Sequence, residues 1–434
     1  MRIGFDVSQT GLLRAGCGNV AYQTIRELAQ IDKTNSYLLY PNFGDLFWDE
    51  NWRQSTVLPM QYNFHRGLHQ DTYEKLRQFW YNPPPDLEHL LGSPDVVHSH
   101  NFYCPPHLRK ARLVYTLYDL SFISNPEWTT EANRIGCFRG IFQASLYADR
   151  IISISKFSRD HFLSLFPHVE PERVEVVPLA SRFTSATPLP CPARLAPYAG
   201  SDFLLSVGTL EPRKNYFKLT EAYARILHGR ADCPPLLIAG GKGWMFDGFM
   251  QHLAELGIAD RVHMMGFCSE EELQWLMQNC TLFLFPSYWE GFGLPVVEAM
   301  SQGAFVVTSN VSSLPEVAGD AALMVDPHDV AALAAAICKP LDDAELLRAG
   351  RERSRLQAAS FSWRKSAEQV LNIYQDTVNK PKIHSQVEMQ PAAVPDMAES
   401  VDIIAAADTA EITDTRETKS WWRGLLDRWQ SRQQ

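Results

Sequence analysis

The chain has 434 residues, of which 45% are hydrophobic and 21% are charged, and this balance supports a full core and two α/β domains. The formal net charge of −10 argues against nucleic acid as a partner, because a phosphate backbone calls for a basic surface. The eight scattered cysteines include no Cys-x-x-Cys pair, and the sequence contains no run of about eighteen apolar residues. We therefore expect reduced thiols and a cytoplasmic protein without a membrane span.

The first half of the chain alternates predicted strands with predicted helices. Gly16 and Gly18 mark a loop between the first strand and a helical pattern over about residues 20–31. The interval 42–90 is rich in Trp, Tyr, Asn and Pro, and we interpret it as irregular, mobile loops that help to bind an acceptor. The predicted strands span residues 3–7, 95–98, 113–117, 150–154 and 174–179.

A second alternating set follows residues 181–197, whose Pro, Ser and Thr content predicts an interdomain linker. Strands that alternate with helices indicate parallel sheets. We predict an α/β protein with two Rossmann-like domains, residues 1–182 and 183–379, whose sheets face a central cleft. The predicted strands of the second domain span residues 203–207, 235–239, 261–265, 281–285, 304–308 and 321–325.

The last segment, residues 380–434, has a different composition. Residues 381–418 carry eight acidic and two basic side chains and few aromatics, which predicts a disordered linker. Residues 419–432, written as a helix, are amphipathic and suit a membrane interface, a partner protein or the enzyme's own surface. The apolar side of that helix would hold Trp421, Trp422, Leu425, Leu426 and Trp429, with Arg423, Arg428 and Arg432 towards the other.

The segment 285–298 is the most informative motif of the chain. An apolar run is followed by Gly291 and Gly293, which permit a tight turn, and then by Pro295, which suits a first helical turn. This pattern predicts a strand, a glycine turn and a helix start. The free amides near Phe292, Gly293 and Leu294 and the helix dipole would then favour an anion such as a phosphate.

Charged residues flank this predicted helix start. Glu290 and Glu298 lie eight positions apart around the turn. Upstream, Arg213 and Lys214 follow another predicted strand, and both can bind phosphate oxygens. The chain has no Asp-x-Asp motif, so we expect these cations, and not a metal, to neutralise a departing diphosphate.

Residues 285–298, together with Gly208-Thr-Leu-Glu-Pro-Arg-Lys-Asn215, resemble the motifs of retaining, nucleotide-sugar-dependent glycosyltransferases of the GT-B fold, family 4. The resemblance covers roughly residues 1–379. It implies that Arg213 and Lys214 bind the donor's diphosphate, that Glu298 holds its ribose hydroxyls and that Glu290 lies near the transferred sugar. It further implies that Gly16 and Gly18 approach the diphosphate, and that the helical pattern over residues 361–374 crosses back onto the first domain.

Tyr118 and Asp119 are the main departure from that pattern, because many members of the family carry His-Asp there. A phenol can hydrogen-bond to a sugar hydroxyl, but it cannot act as a base near neutral pH. Tyr-Asp variants occur among mannosyltransferases of bacterial surface polysaccharide assembly, and this favours mannose. His98 and His100 could suggest a metal, but two histidines without a third ligand fit strand-end packing better.

The sequence thus predicts a metal-independent, retaining glycosyltransferase without a cofactor. We expect a nucleotide-diphosphate sugar donor, with GDP-mannose favoured, and a glycan or lipid-linked acceptor in bacterial surface polysaccharide synthesis. The tail would allow peripheral placement on the inner face of the membrane. Two alternatives stay open: a nucleotide-sugar epimerase on the same fold, and a non-catalytic, membrane-tethered scaffold subunit.

Overall fold

A computed structural model describes residues 1–11, 14, 16–44, 61–68, 72–100, 102–106, 108–183, 187–243 and 246–383. All of these residues belong to one compact unit. The predicted disordered linker from residue 384 onward and the predicted helix over residues 419–432 lie outside the described residues.

The first half of the chain folds into a parallel sheet whose strand order is β3-β2-β1-β4-β5-β6-β7. Most of its strands are short apolar runs, and β4 is buried at every position, as expected for a parallel sheet covered on both faces. The strands are β1 (Arg2–Asp6), β2 (Ser36–Tyr40), β3 (Phe64–Arg66), β4 (Val96–His100), β5 (Arg112–Leu117), β6 (Arg150–Ser153) and β7 (Val174–Val176).

The second half forms a second parallel sheet, whose strand order is β10-β9-β8-β11-β12-β13. Its four central strands are buried at all positions. The strands are β8 (Leu204–Val207), β9 (Leu236–Ala239), β10 (Val262–Gly266), β11 (Leu282–Phe285), β12 (Val306–Ser309) and β13 (Ala322–Val325). The predicted α/β class with two parallel sheets is confirmed, whereas the exact domain boundaries stay a prediction.

Helices connect the strands and cover both sheets. Those of the first half are α1 (Gly16–Ile31), α2 (Tyr73–Tyr81), α3 (Leu87–Leu90), α4 (Ser121–Ser124), α5 (Glu131–Tyr147) and α6 (Lys156–Leu165). Those of the second half are α7 (Tyr216–Gly229), α8 (Phe249–Glu255), α9 (Glu270–Asn279), α10 (Leu294–Ser301), α11 (Leu314–Ala318), α12 (Val330–Asp342), α13 (Ala344–Ala359) and α14 (Trp363–Asn379).

The prediction of irregular loops over the interval 42–90 is wrong for its described part. That part contains β3, α2 and α3, and β2 lies just before it. Both β2 and β3 are short, and their pairing with β1 and with each other stabilises them more than any local pattern does. Trp80 of α2 is buried and packs edge-to-face against Tyr103 at a centroid distance of 5.2 Å, so this aromatic residue of the interval belongs to the core.

The last described helix, α14, returns to the first half of the chain and packs against α1, as the resemblance implied. The hydroxyl of Tyr374 and Nδ1 of His98 are 2.5 Å apart, and the hydroxyl of Ser366 donates to the carbonyl of Pro178 over 2.6 Å. Beyond the helix, the backbone amide of Ile383 donates to the Asp149 carboxylate over 3.1 Å. The chain is therefore held against the first sheet as far as residue 383, three residues into the segment predicted to be disordered.

Candidate active site

The candidate site lies where the strand order of the second sheet reverses, between β8 and β11. In open parallel sheets, ligands bind in the crevice at the carboxyl ends of the strands at such a point. Arg213 and Lys214 follow β8, and Glu290 follows β11. The two halves of the predicted site therefore come from the two strands that border this crevice.

Asn215, whose backbone adopts the left-handed conformation, fixes the turn that carries Arg213 and Lys214. Its φ is 62°, and it joins the short 3-10 turn Pro212–Lys214 to α7. Its side-chain amide donates to the carbonyl of Pro286 over 2.9 Å and to that of Pro327 over 2.8 Å. The loop after β8 is thus tied to the loop after β11, which holds the side chains of the two loops in register.

Glu290 binds both cations with separate carboxylate oxygens. Lys214 Nζ lies 2.7 Å from its Oε1, and Arg213 Nη1 lies 2.8 Å from its Oε2. Arg213 also pairs with Glu211 over 2.8 Å, so two cations and two carboxylates form one network. Glu290 and Lys214 are almost fully buried, whereas the Arg213 side chain keeps 22% of its surface exposed and can meet a ligand from the cleft.

The charges of this network set its protonation. Burial alone would raise the pKa of Glu290, but the neighbouring Arg213 and Lys214 outweigh it and hold that pKa below its ordinary value. Burial and the charge of Arg213 lower the pKa of Lys214. Glu290 is therefore an ionised carboxylate at neutral pH, held by two donors.

Glu298 lies within the first turns of α10, in a different environment. It is buried, and its carboxylate forms a salt bridge with Nε of Arg182 over 3.1 Å. Burial raises the pKa of Glu298 to about 7, against the opposing effect of Arg182. Arg182 was not identified from the sequence, because it lies in the segment that composition marks as linker.

The predicted helix start after the glycine turn is confirmed in its geometry. Gly293 has a φ of 101°, and α10 begins at Leu294 with Pro295 in its first turn. The first amides of a helix have no acceptor within it, so this terminus can receive an anion. The Phe292 side chain is buried and packs edge-to-face with Phe361, so only its backbone is suited to ligand binding.

The first half of the chain contributes Tyr118 and Asp119, which follow β5 directly. The Tyr118 side chain is buried, and its hydroxyl donates to the carbonyl of Cys17 over 3.1 Å and lies 3.3 Å from Nδ1 of His100. The carboxylate of Asp119 accepts hydrogen bonds from the amide and hydroxyl of Ser121, over 2.9 and 2.6 Å. Both side chains thus help to shape the loops around the cleft.

Gly16 and Gly18 lie in the first turn of α1 and not in a loop before it. A Cβ at Gly18 would lie 2.1 Å from the carbonyl oxygen of Gln9, so the close approach of two backbone segments requires glycine there. A Cβ at Gly16 would meet no atom within 4 Å. The start of α1 therefore keeps open space at Gly16, next to the Cys17 carbonyl that binds Tyr118.

The two halves of the chain meet at Gly291. A Cβ on this glycine would lie 2.6 Å from the carbonyl oxygen of Tyr118 and 2.9 Å from Cβ of Asp119. The hydroxyl of Ser158 donates to the carbonyls of both Tyr118 and Gly291, over 2.9 and 3.2 Å. The glycine turn of the second half is therefore locked onto the loop after β5, with Glu290 directly beside the junction.

Among the described residues, no group of three or more His, Cys, Asp or Glu side chains could hold a metal ion. His98 and His100 are buried and stack on each other, and His98 bonds to Thr116 and Tyr374. Their arrangement matches the packing role predicted for them. None of the described helices is both long and apolar enough to cross a bilayer.

Comparison with known proteins agrees with this geometry. Residues 14–180 match the family model described as Glycosyltransferase Family 4, and residues 192–357 match the one described as Glycosyl transferases group 1. The two parallel sheets are the architecture of the GT-B fold, which solved glycosyltransferase structures share with most of this chain. The chain belongs to glycosyltransferase family 4, and the predicted enzyme class is confirmed.

Relatives of known activity cover much of the chain. O-antigen chain mannosyltransferase B of Escherichia coli is 36% identical over 284 residues, which is 64% of this chain and 74% of that protein. The serotype-specific mannosyltransferase WbdA of Escherichia coli is 34% identical over 168 residues, 38% of this chain and 21% of that protein. Among solved structures, Anabaena HepE in complex with UDP-glucose has 18% identity and a TM-score of 0.63, over 87% of this chain and 100% of that one.

Proposed function

We propose that this glycosyltransferase is a retaining, metal-independent mannosyltransferase that uses GDP-mannose. The observation that carries the proposal is the network of Arg213, Lys214 and Glu290 at the switch point of the second sheet. Mannose as the sugar is supported by the similarity to O-antigen chain mannosyltransferase B of Escherichia coli. GDP is the nucleotide that carries mannose in the expected donor.

The charges of the site support a metal-independent reaction. The diphosphate of the donor would lie at the start of α10 and against the exposed edge of Arg213, with Lys214 behind it. As the glycosidic bond of the donor breaks, negative charge grows on the leaving phosphate, and fixed cations and amides stabilise it without reorganisation. Glu290 holds both cations in place until the diphosphate takes up their charge.

Glu298 would bind the ribose hydroxyls of the donor, and Glu290 would lie nearest the transferred sugar. Glu290 is already bound to two cations, so it is suited to orient them and not to act as a covalent nucleophile. We therefore propose front-face attack by the acceptor with retention of configuration. The acceptor would be a glycan or a lipid-linked glycan of bacterial surface polysaccharide, bound from the first half of the chain while the closed cleft excludes water.

The deciding experiment compares the Arg213→Ala/Lys214→Ala variant with the wild type in release of GDP from GDP-mannose, with an acceptor extract and with EDTA present. Lys218→Ala/Arg225→Ala is the matched control, because it removes the same charge from α7 at two residues that do not pair with Glu290. We expect at least a 100-fold loss of turnover in the site variant only, with wild-type activity unaffected by EDTA. Circular dichroism checks that each variant is folded.

Each alternative outcome has a separate meaning. Wild-type activity in the site variant would refute the site assignment. Turnover of UDP- or ADP-sugars alone would refute GDP-mannose as the donor, and loss of activity in EDTA would refute metal independence. Conversion of the donor without an acceptor would indicate an epimerase, and a wild-type protein that neither binds nor consumes any nucleotide sugar would indicate a scaffold subunit.

We further propose that the protein acts on the inner face of the membrane, bound peripherally through residues 419–432. Three tryptophans, three arginines and one lysine within this segment suit an interface between acyl chains and anionic headgroups. This placement would bring the enzyme close to a lipid-linked acceptor. A partner protein that binds the same segment is the competing explanation.

A further inference from the structure

A groove lies on the side of the molecule where the chain passes from the first sheet to the second. Its volume is about 590 Å³, and we call it the linker groove. Its walls are one face of α1, residues 180–183, the end of α13 and the start of α14. Gly16, Tyr118, Arg213, Lys214, Glu290 and Glu298 of the candidate active site do not line it, whereas Arg182, the ion-pair partner of Glu298, does.

The side chains that line the linker groove are strongly basic. Four arginines line it against a single carboxylate, that of Glu27; they are Arg26, Arg182, Arg355 and Arg364. The whole chain has a formal net charge of −10, so this concentration of positive charge runs against the bulk composition. One arginine guanidinium can bind two phosphate oxygens at once through parallel N–H donors.

Three of these arginines are available to a ligand. Arg26 is exposed and has no hydrogen bond or ion pair among the described residues. Within the described part of the chain, Arg355 pairs only with Glu352 on its own helix, over 3.5 Å, and Arg364 only with Glu368, over 3.2 Å. Exposed pairs within one helix contribute little, so an anion in the groove can replace them.

Two polar side chains in the wall make no hydrogen bond among the described residues. The Gln23 side chain is 6% exposed, and its amide has no protein partner and keeps contact with solvent. The Trp363 side chain is 7% exposed, and its buried indole N–H has no acceptor in the described part of the chain. Because buried polar groups are nearly always hydrogen-bonded, donors left unpaired in the wall of a basic groove point to an acceptor-rich ligand.

The start of α14 also favours an anionic ligand in the linker groove. This helix has 17 residues, begins at Trp363 and is capped by Ser362, and all three of Ser362, Trp363 and Arg364 line the groove. The positive end of its dipole therefore lies at the groove wall. Charge, unpaired donors and helix dipole all favour the same class of ligand.

We propose that the linker groove is a second anion site, which binds a phosphate or diphosphate group through Arg26, Arg355 and Arg364, with Gln23 and the indole of Trp363 as neutral donors. The group could belong to a free phosphorylated metabolite or to the headgroup of a lipid-linked glycan. The site is separate from the donor's diphosphate site, and its existence does not depend on the proposed transfer reaction.

The test is a titration of the full chain with inorganic pyrophosphate, followed by the fluorine resonance of Trp363 in protein labelled with 5-fluorotryptophan. The Trp363→Phe variant assigns that resonance. The groove variant removes the three available arginines, and the control variant removes three exposed arginines elsewhere. The groove substitutions are Arg26→Gln, Arg355→Gln and Arg364→Gln, and the control substitutions are Arg109→Gln, Arg225→Gln and Arg348→Gln.

We expect the Trp363 resonance to shift with pyrophosphate in the wild type, in the control variant and in Arg213→Ala/Lys214→Ala. In the groove variant we expect the apparent Kd to rise about tenfold or more. A resonance that does not move, or that moves equally in the groove variant, would overturn the proposal, as would an equal response to sulfate, which indicates an adventitious ion only. A short-chain prenyl diphosphate that binds more tightly than pyrophosphate would assign the group to a lipid carrier, and equal binding would assign it to a free metabolite.

Discussion

Glu290 and Glu298 lie on one continuous segment, yet their surroundings move their proton affinities in opposite directions. Glu290 accepts from two cations, which hold its pKa below the ordinary value. Glu298 meets the single guanidinium of Arg182, and burial raises its pKa to about 7. Separated pKa values on neighbouring carboxyl groups often mark different roles in a site. Here Glu290 is the permanent anion that holds the cations, and Glu298 is the group that can change charge near neutral pH.

The raised pKa of Glu298 predicts a pH-dependent stability. Folding moves this pKa from 4.5 to about 7, so the folded protein holds the proton more tightly than the unfolded chain does. Between these two values the free energy of unfolding of the wild type therefore falls as the pH rises. Relative to Glu298→Gln, which cannot titrate, we expect a loss of about 3 kcal/mol between pH 4.5 and pH 7.5. Urea denaturation of both proteins measures this difference, and parallel pH profiles would contradict it.

At the scale of elements, the glycine turn before α10 positions the site by its close contact with the loop after β5. Only a residue without a Cβ allows the backbones of Gly291 and Tyr118 to approach this closely. Ser158, in the first turns of α6, then bridges both carbonyls. The position of Glu290 relative to the first half of the chain therefore depends on one glycine and one hydroxyl.

Substitution of Gly291 by Ala tests this dependence. The added methyl group would overlap the Tyr118 carbonyl and Asp119 Cβ, so the two loops must separate. We expect kcat to fall about tenfold or more, because small displacements of positioning groups are costly, and the free energy of unfolding to fall by about 1–3 kcal/mol. Steady-state kinetics and urea denaturation measure the two effects. Gly229→Ala, where the methyl group meets nothing within 4 Å, is the control, and equal behaviour of the two variants would refute the argument.

How far the sequence predicts these elements depends on what stabilises each of them. The strand predicted over residues 281–285 is observed over Leu282–Phe285. The sequence could predict it because a fully buried parallel strand is a continuous apolar run. β3 has only three residues, of which two are exposed, so its pairing with β2 and not its pattern makes it a strand. Arg182 and Glu298 are 116 residues apart, and no local signal in the sequence links them.

At the scale of the whole molecule, the first sheet and the end of the chain share one hydrophobic core. Ile3 and Phe5 of β1, Ile25 of α1 and Ile373 of α14 belong to the same buried cluster. The Tyr374 hydroxyl reaches His98 in β4 from this helix. The first half of the chain therefore completes its core with residues that lie more than 180 positions further along.

Tyr374→Phe tests how much this contact stabilises the molecule. The substitution keeps the ring but leaves Nδ1 of His98 without its partner in a fully buried place. We expect the free energy of unfolding to fall by about 1–3 kcal/mol, since a buried polar atom is left unsatisfied. Tyr223→Phe, which removes a hydroxyl that donates to the Pro234 carbonyl in the second half, is the matched control. A smaller loss for Tyr374→Phe than for the control would contradict the prediction.

The composition of residues 419–432 predicts that the protein is found in the membrane fraction of a cell. Deletion of residues 415–434 should move the protein from the membrane fraction to the soluble fraction, because it removes the tryptophans and arginines that suit an interface. Flotation with vesicles of anionic phospholipid, compared with neutral vesicles, measures the same property without other proteins. Trp421→Ala/Trp422→Ala should weaken binding to both, whereas Arg423→Gln/Arg428→Gln should weaken binding to anionic vesicles only. An unchanged distribution would instead favour a protein partner.

The return of α14 to the first sheet also determines when each half of the protein can finish folding during synthesis. Chains usually fold from their N-terminal domain onward as they leave the ribosome. Here the first half cannot complete its core until residues 363–379 have been translated. Until then the apolar surface of β1 and α1 stays uncovered. A ribosome that stalls anywhere in the second half would therefore leave a nascent chain with two unfinished halves, and such chains depend on chaperones that cover exposed apolar surface.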